Sequence, residues 1–327
     1  MAKFIIKRMI NIIPLLILIS IISFAIIQLP PGDFISSYIA RLQQMGEMVG
    51  PEQAEQLRNR YGLDQPVYVQ YLKWMKGVLT GDFGFSFDWQ QPVSEVIGER
   101  LALTLVLTLS TTIFVWIVGF LIGLYSATHQ YSIGDYIVTF FGFIGLATPN
   151  FMLALILMWI AYAYFGQNVG GLFSPEYLSA PWSIGRVIDL IKHLWIPVII
   201  TGTAGTAGLI RIFRANLLDE LGKPYVATAR AKGLSELKLI FKYPVRIALI
   251  PFVATVGWTL PKLISSATIT SVVLSLPTAG PVLLRALQNQ DMFLAGSFIL
   301  LLSVLTVVGT LISDILLAWV DPRISYN

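Results

Sequence analysis

Six apolar segments, each about as long as a bilayer crossing, occupy roughly 9–29, 101–125, 136–165, 195–215, 248–275 and 293–319 of this 327-residue chain. A hydrocarbon core needs about 20 consecutive apolar residues per helix. Lipid offers no partner to a backbone N–H or C=O, so such a segment must pair its own backbone as a helix. Charged residues make up only 12% of the chain, about half the share of a soluble domain. These features predict an all-α polytopic membrane protein with six transmembrane helices. The chain has no cysteine, which excludes disulfides, thiolate metal sites and cysteine nucleophiles.

Lys3, Lys7 and Arg8 precede the first span and place the N-terminus in the cytoplasm by the positive-inside rule. This segment is too long for a secretory h-region, and Pro30-Pro31-Gly32-Asp33 offers no small-x-small cleavage site, so it reads as a retained helix. Six crossings then put 126–135, 211–246 and the C-terminus inside, and 30–100, 166–194 and 276–292 outside. The dense charges agree: 211–246 holds eight Lys/Arg against three Asp/Glu, while 31–99 holds nine acids against five bases. Loop 126–135 contains neither Lys nor Arg and is uninformative.

The resulting division is a cytoplasmic N-terminus and first helix (1–30), a helical extracytoplasmic insertion (31–97), a five-helix core (98–319) and a cytoplasmic tail (320–327). Within the insertion, Pro51 and Glu52 open a helix that Gly62 and Pro66 end. Val67–Leu79 forms a second, amphipathic helix whose Tyr68, Tyr71 and Trp74 suit a membrane interface. The acids of 31–99 are expected on a solvated face.

Loop 211–246 is both basic and rich in helix signals. Pro224 suits a first helical position and Gly233 the position just past a helix end. Ser235 can cap the next helix, with Glu236 in its first turn. Val226, Ala229, Gly233, Leu237, Ile240 and Phe241 recur at spacings of three or four, an apolar stripe. The pattern predicts two short helices joined at a glycine elbow. Two readings fit it: an amphipathic pair lying on the anionic inner leaflet, or a docking surface for a soluble partner.

PYVATARAKGLSELKLIFKYPVRIALIP resembles the coupling loop of ABC-importer permeases, specifically the B-type subunit of the dipeptide/oligopeptide family. Ala227, Thr228 and Ala229 stand at the Glu-Ala-Ala positions of the wider motif, and Gly233 is its fixed glycine. Two departures, Ala227 for Glu and Val245-Arg246 for Leu-Pro, are usual in the peptide branch. FIIKRMINIIPLLILISIISFAIIQLPPGD, YGLDQPVYVQYLKWMKGVLTGDFGFSF and WVDPRI resemble the same family's opening helix, outer segment and C-terminal signature.

The resemblance implies a type I importer permease fold in the inner (cytoplasmic) membrane. It also implies a coupling element made of Tyr225, Ala227, Thr228, Ala229, Arg230, Ala231, Lys232, Gly233, Leu234 and Ser235. Gly233 would set the elbow, and Ala227, Ala229 and Ala231 would allow close packing. Arg230 and Lys232 would meet either ATPase carboxylates or lipid phosphate. The implied partners are a second homologous permease, one or two ABC ATPase subunits on loop 211–246, and an extracytoplasmic substrate-binding protein, all assembled at the lipid bilayer without nucleic acid. This chain has no G-x-x-x-x-G-K-[ST] motif, since Gly222-Lys223 lacks both the upstream glycine and the following Ser/Thr. ATP and Mg therefore belong to the ATPase subunits, and the chain itself is expected to bind no cofactor.

Lys262 lies inside the fifth span and either faces the translocation path or snorkels to the outer interface; Pro261 before it suggests a kink. Ser265, Ser266 and Thr268, with Thr270 and Ser271, either line a polar path or bond within their own helix. Gly202, Gly205 and Gly208 suit close helix packing. His129 and His193 fall on opposite sides of the expected membrane and make no metal pair. A self-contained channel or secondary carrier is the rival reading; it would be expected to show repeats or broken helices with ion-coordinating residues. Members of the resembled family carry peptides, oligosaccharides, nickel or opines. The aromatic-rich GLFSPEYLSAPWSIGRVIDLIKHLW and the segment LPTAGPVLLRALQNQ depart from its peptide subunits, which keeps an oligosaccharide beside a peptide as substrate.

Overall fold

The computed structural model describes residues 2–29, 34–44, 50–61, 63–166 and 170–320, with the side chains of 2–9, 256–262, 264–265 and a few other helical positions excluded. Pro30–Asp33 and the tail 321–327, with most of the WVDPRI signature, lie outside the described residues.

In chain order the helices begin with α1 (Ala2–Gln28), α2 (Phe34–Gln44), α3 (Pro51–Tyr61) and α4 (Val67–Leu79). A two-residue hairpin, β1 (Phe85–Ser86) and β2 (Gln91–Pro92), precedes α5 (Val93–Thr128). Then come α6 (Ile133–Ala147), α7 (Asn150–Phe165), a 3-10 turn at Pro175–Tyr177 and α8 (Ile184–Leu221). The rest is α9 (Pro224–Ala231), α10 (Glu236–Lys242), α11 (Pro244–Ala254), α12 (Val256–Val273), α13 (Ala279–Gln288) and α14 (Met292–Val320). Among the described residues four helices are long and apolar enough to cross a membrane: Ile10–Gln28, Val93–Thr128, Ile184–Leu221 and Met292–Leu316.

Two of the expected spans are broken, the fifth upstream of the kink expected at Pro261. Segment 136–165 bends by 109° between α6 and α7. Pro149 biases its predecessor toward extended backbone, and Thr148 sits at φ −88°, ψ 119°. Each arm is then about 22–24 Å long at 1.5 Å per residue, shorter than a bilayer core. The fifth span divides at Thr255, whose N–H and hydroxyl both turn back to the Phe252 carbonyl, at 3.2 and 2.7 Å. Pro251, inside α11, has already removed one helical donor just upstream.

The chain folds as two compact units. The first comprises 1–104 and 277–307. Phe24, Ile35, Trp74, Phe87, Val93, Ala286 and Phe298 lie in its core. Trp74 was expected at a membrane interface; it is instead buried, stacked on Phe24 and donating its indole N–H to Ser297 Oγ at 3.2 Å. Tyr71 likewise turns inward, its hydroxyl 2.9 Å from Ser20 Oγ. Only Tyr68 stays outside.

Asp88, one of the acids expected on a solvated face, has a buried side chain instead, and Asp291 is buried in the same unit. Asp88, its side chain 3% exposed, meets Arg285 at 2.6 Å, and Arg285 and Arg100 both lie over the Trp89 ring. Fully buried Asp291 accepts from Ser86 Oγ (2.6 Å), Asp88 N (3.0 Å) and Leu294 N (3.3 Å). That carboxylate ties the β1–β2 turn to the start of α14.

The second unit comprises 105–276 and 308–327. Here α8 is the hub, packed by α6, α7, α11 and α12. Val115, Leu209, Phe213, Leu217, Val245, Ala248 and Phe252 form a core on it. Glycines on both partners allow the approach of α5 and α8. A Cβ at Gly202 would reach 2.9 Å from the Phe114 ring, and one at Gly119 would reach 3.0 Å from Leu209. Gly205 also faces α5, against Val115, whereas Gly208 faces open space.

Residues 171–183 fold back on the same unit. Gly171 N–H donates to the Leu274 carbonyl at 2.8 Å. The Arg186 guanidinium sits between the Phe173 and Trp182 rings at 4.7 and 4.6 Å and donates to Ala180 O at 2.7 Å. Asp189 accepts from both the N–H and the hydroxyl of Ser174 at 2.7 Å. Aromatic side chains of this segment therefore serve an internal cation cage.

Burial raises the Asp291 carboxyl above the usual carboxylate range, outweighing the hydrogen bonds that favour its charge. With a raised native pKa, the native chain keeps a proton that the unfolded chain has released. Stability from this group is thus complete below the ordinary carboxylate pKa and lost as pH rises through the native value. In detergent, this group's contribution to the Tm should fall as pH climbs from about 4 toward neutrality, and Asp291→Asn should remove that downward contribution from the wild-type profile. An unchanged slope in the Asn variant would contradict the assignment.

Candidate functional site

Segment 211–246 begins as helix rather than loop: Arg211–Leu221 forms the last three turns of α8. After Gly222, Lys223 is extended (φ −75°, ψ 148°) and Pro224 opens α9 at the position where a missing N–H costs nothing. Gly233 follows at φ +78°, a conformation that costs a residue with a Cβ about 1–2 kcal/mol. Ser235 occupies the N-cap position of α10 in extended backbone but makes no side-chain capping bond. The elbow therefore stands on Gly233 and on packing.

That packing is small and complete. Val226 and Leu239 are fully buried and Ala229 nearly so, with Tyr225, Leu234, Ile240 and Tyr243 around them. Tyr225 also ties the element to α8: its hydroxyl donates to Glu220 Oε2 at 2.6 Å. Burial, then this carboxylate, lifts the phenol well above its usual pKa, so it remains a donor at physiological pH. Arg230 is joined to Glu236 across the elbow, Nη2 to Oε2 at 3.0 Å. The pair raises the guanidinium and lowers the carboxyl, but both side chains are more than half exposed and water screens them.

The structure sorts the expected coupling residues by exposure. Ala227, Thr228, Arg230, Ala231, Lys232 and Ser235 are exposed, with Gly233 at the tip, while Tyr225 and Leu234 are half-buried. Ala229 is consumed by the element's own core and presents no free surface for close packing. The expected continuous stripe is also interrupted. Residues 232–235 are not helical, so the phase resets, Leu239 turns inward, and Leu237 (74% exposed) and Phe241 (50%) turn outward. An open groove of about 620 Å³ is lined by Tyr225, Thr228, Lys232, Lys242, Tyr243 and Arg246 among others.

In α12, Ser266 Oγ bonds to Leu263 O and Thr270 Oγ1 to Ser266 O, both at 3.2 Å, as expected of hydroxyls within a helix. Thr268 is half-buried beside them. The side chains of Pro261, Lys262 and Ser265 lie outside the described residues. Among the described residues no group of three or more His, Asp or Glu is placed to hold a metal.

Against known proteins, residues 119–326 match the family described as "Binding-protein-dependent transport system inner membrane component". Residues 1–108 match its companion, "Binding-prot-dependent transport system membrane comp, N-term". The chain is 39% identical over 328 residues to the oligopeptide transport system permease protein AppB of Bacillus subtilis (strain 168), with 100% of both chains covered. It is 31% identical over 344 residues to the dipeptide transport system permease protein DppB of Escherichia coli (strain K12), again with 100% of both covered. An inward-facing structure of the MetNI methionine ABC transporter shares the fold: TM-score 0.53, 16% identity, covering 69% of this chain and 96% of that one.

The chain belongs to the binding-protein-dependent transport system inner membrane component family. It is a membrane-embedded permease of the ABC-transporter class.

Leu239 anchors the elbow's core, and a buried Leu→Ala change costs about 2–5 kcal/mol. Leu239→Ala should therefore speed amide exchange and proteolysis within 224–243 while the long helices keep their protection. Unchanged exchange across 224–243 would contradict this account of what holds the element.

Proposed function

We propose that this chain forms half of the translocation pathway of an ATP-driven importer for oligopeptides or dipeptides, with α9–α10 as its ATPase-docking element. The observation that carries this is the element itself: a self-cored elbow fixed to α8, with Leu237 and Phe241 turned outward. Exposed large apolar side chains on an otherwise basic element fit a protein cleft better than they fit water. In this reading Arg230 is held by Glu236 and sets the elbow's shape, which leaves Lys232 as the cation for a carboxylate on the ATPase. ATP-driven closure of the ATPase pair then displaces α9–α10 and, through α8, tilts the core helices as a rigid body.

Around it we place a second homologous permease, one or two ABC ATPases carrying ATP and Mg, and an extracytoplasmic binding protein that delivers substrate. Six crossings follow when α6–α7 and α11–α12 each count as one. Both termini are then in the cytoplasm and 31–97 lies outside the inner membrane. The same division into a first helix (1–30), insertion (31–97), core (98–319) and tail (320–327) belongs to this reading.

Two observations favour peptide over oligosaccharide. Full-length relatives are named as oligopeptide and dipeptide permeases. Phe173 and Trp182, part of the aromatic richness that suggests a sugar site, are engaged with Arg186. As for the rival carrier, α6–α7 is a broken helix, but residues 144–154 at the break carry no charged side chain to coordinate an ion. Lys262 with Ser265, Ser266 and Thr268 remains the proposed polar lining.

Uptake of a labelled peptide into proteoliposomes should require the ATPase subunits and ATP; uptake by this chain alone would overturn the reading. Gly233→Leu has open space for its side chain, so its effect is conformational, a strained elbow. It should leave insertion intact and cut uptake per ATP hydrolysed by tenfold or so, about 1.4 kcal/mol of lost coupling. Normal transport by that variant would count against the docking role.

A further inference from the structure

We propose that Asp135 and Arg214 are a positioning pair that makes α6 follow α8 when α9–α10 is displaced. The inference rests on the coupling role given above to α9–α10 and extends it to a residue pair outside the elbow. Asp135 stands in the first turn of α6 with its side chain 4% exposed. Its carboxylate accepts from Arg214 Nη2 at 2.8 Å and Arg214 Nε at 3.2 Å. It also accepts from Tyr131 N at 3.0 Å and from the Ser126 hydroxyl. One buried carboxylate thus gathers the end of α5, the start of α6 and the last turns of α8.

The seam between α6 and α8 explains why the pair is needed. Gly142 faces Ala207, and a Cβ at Gly145 would lie 2.6 Å from Thr203 Cγ2. Along α6 the sequence is 135, 142, 145; along α8 it is 214, 207, 203, an antiparallel register at helical spacing. Glycine, alanine and threonine give the close contact of this seam, and Arg211, over the Phe143 ring at 5.6 Å, adds a contact across it that is less directional than a charged fork. The charged fork is directional as well as strong, and it fixes that register at the end nearest the elbow. Tyr225 and Glu220 join α9 to the last turn of α8, so the path runs from α9 through α8 and Arg214 to Asp135. From there α6 leads to the 109° bend at Thr148–Pro149.

The chain has no native cysteine, so the double variant D135C/R214C gives a clean test. It would be assembled with the second permease, the ATPases and the binding protein in proteoliposomes, and uptake and ATP hydrolysis measured together. The free-thiol form should assemble and hydrolyse ATP, but its uptake per ATP should fall at least about fivefold, the lower end of coupling between linked sites. Bridging the thiols with a short bis-maleimide should restore the ratio; the same reagent on D135C alone should not. Asp135→Asn keeps the side chain's shape and should lower the ratio in the same direction, should the double variant fail to assemble.

A wild-type ratio in the unbridged or Asn variant, or a bridged form that stays uncoupled, overturns the proposal. Uptake without ATPases by the unaltered complex would instead overturn the coupling reading on which it rests.

Discussion

A backbone that enters hydrocarbon must satisfy its own hydrogen bonds, and every large feature of this chain follows from that constraint. It makes the apolar segments helical, and glycine lets two of them approach closely, as at Gly119 and Gly202 between α5 and α8. It also makes buried charge rare, so the carboxylates drawn inside matter more. Asp135 and Asp291 each collect several donors from distant parts of the chain. In the short helices α9 and α10 the requirement is different, and they are held together by Val226, Ala229 and Leu239.

These requirements meet in α8. Its 38 residues amount to about 57 Å of helix, well beyond a bilayer core, so one continuous helix both packs the membrane helices and carries the elbow. Tyr225 joins the elbow to its end, and Arg214 joins α6 to it two turns earlier. A displacement applied at α9–α10 therefore has a stiff route into the core. Gly142 against Ala207 and Gly145 against Thr203 bring α6 and α8 close together along that core.

Local chemistry was legible in the sequence where a single residue decides the backbone. Pro224 and Gly233 marked the elbow and Pro51 marked the start of α3, because proline and glycine act on their own φ and ψ. Hydropathy counting hid the bend at Thr148–Pro149, since an apolar run scores the same whether or not proline interrupts it. A Thr-Pro step at mid-span was the available signal. The stripe through Leu237 and Phe241 failed because four non-helical residues around Gly233 reset the helical phase. Periodicity counted across such an elbow cannot hold. Asp135 with Arg214 lies 79 residues apart and Ser86 with Asp291 lies 205 apart, so no local pattern reports either pair. Trp74 was misplaced for a related reason: its indole partner, Ser297, is 223 residues away.

In the proposed assembly the outward face of the elbow, and Leu237 above all, docks on the ATPase. Leu237→Cys would be the sole thiol of the chain, and maleimide labelling measures its exposure directly. With the membrane complex intact, the account predicts rapid labelling without the ATPase subunits and strong protection when they are bound. Leu79→Cys, at another exposed position (81%), should label equally in both states. Labelling of Leu237→Cys that is indifferent to the ATPase, or blocked by the bilayer alone, would contradict it.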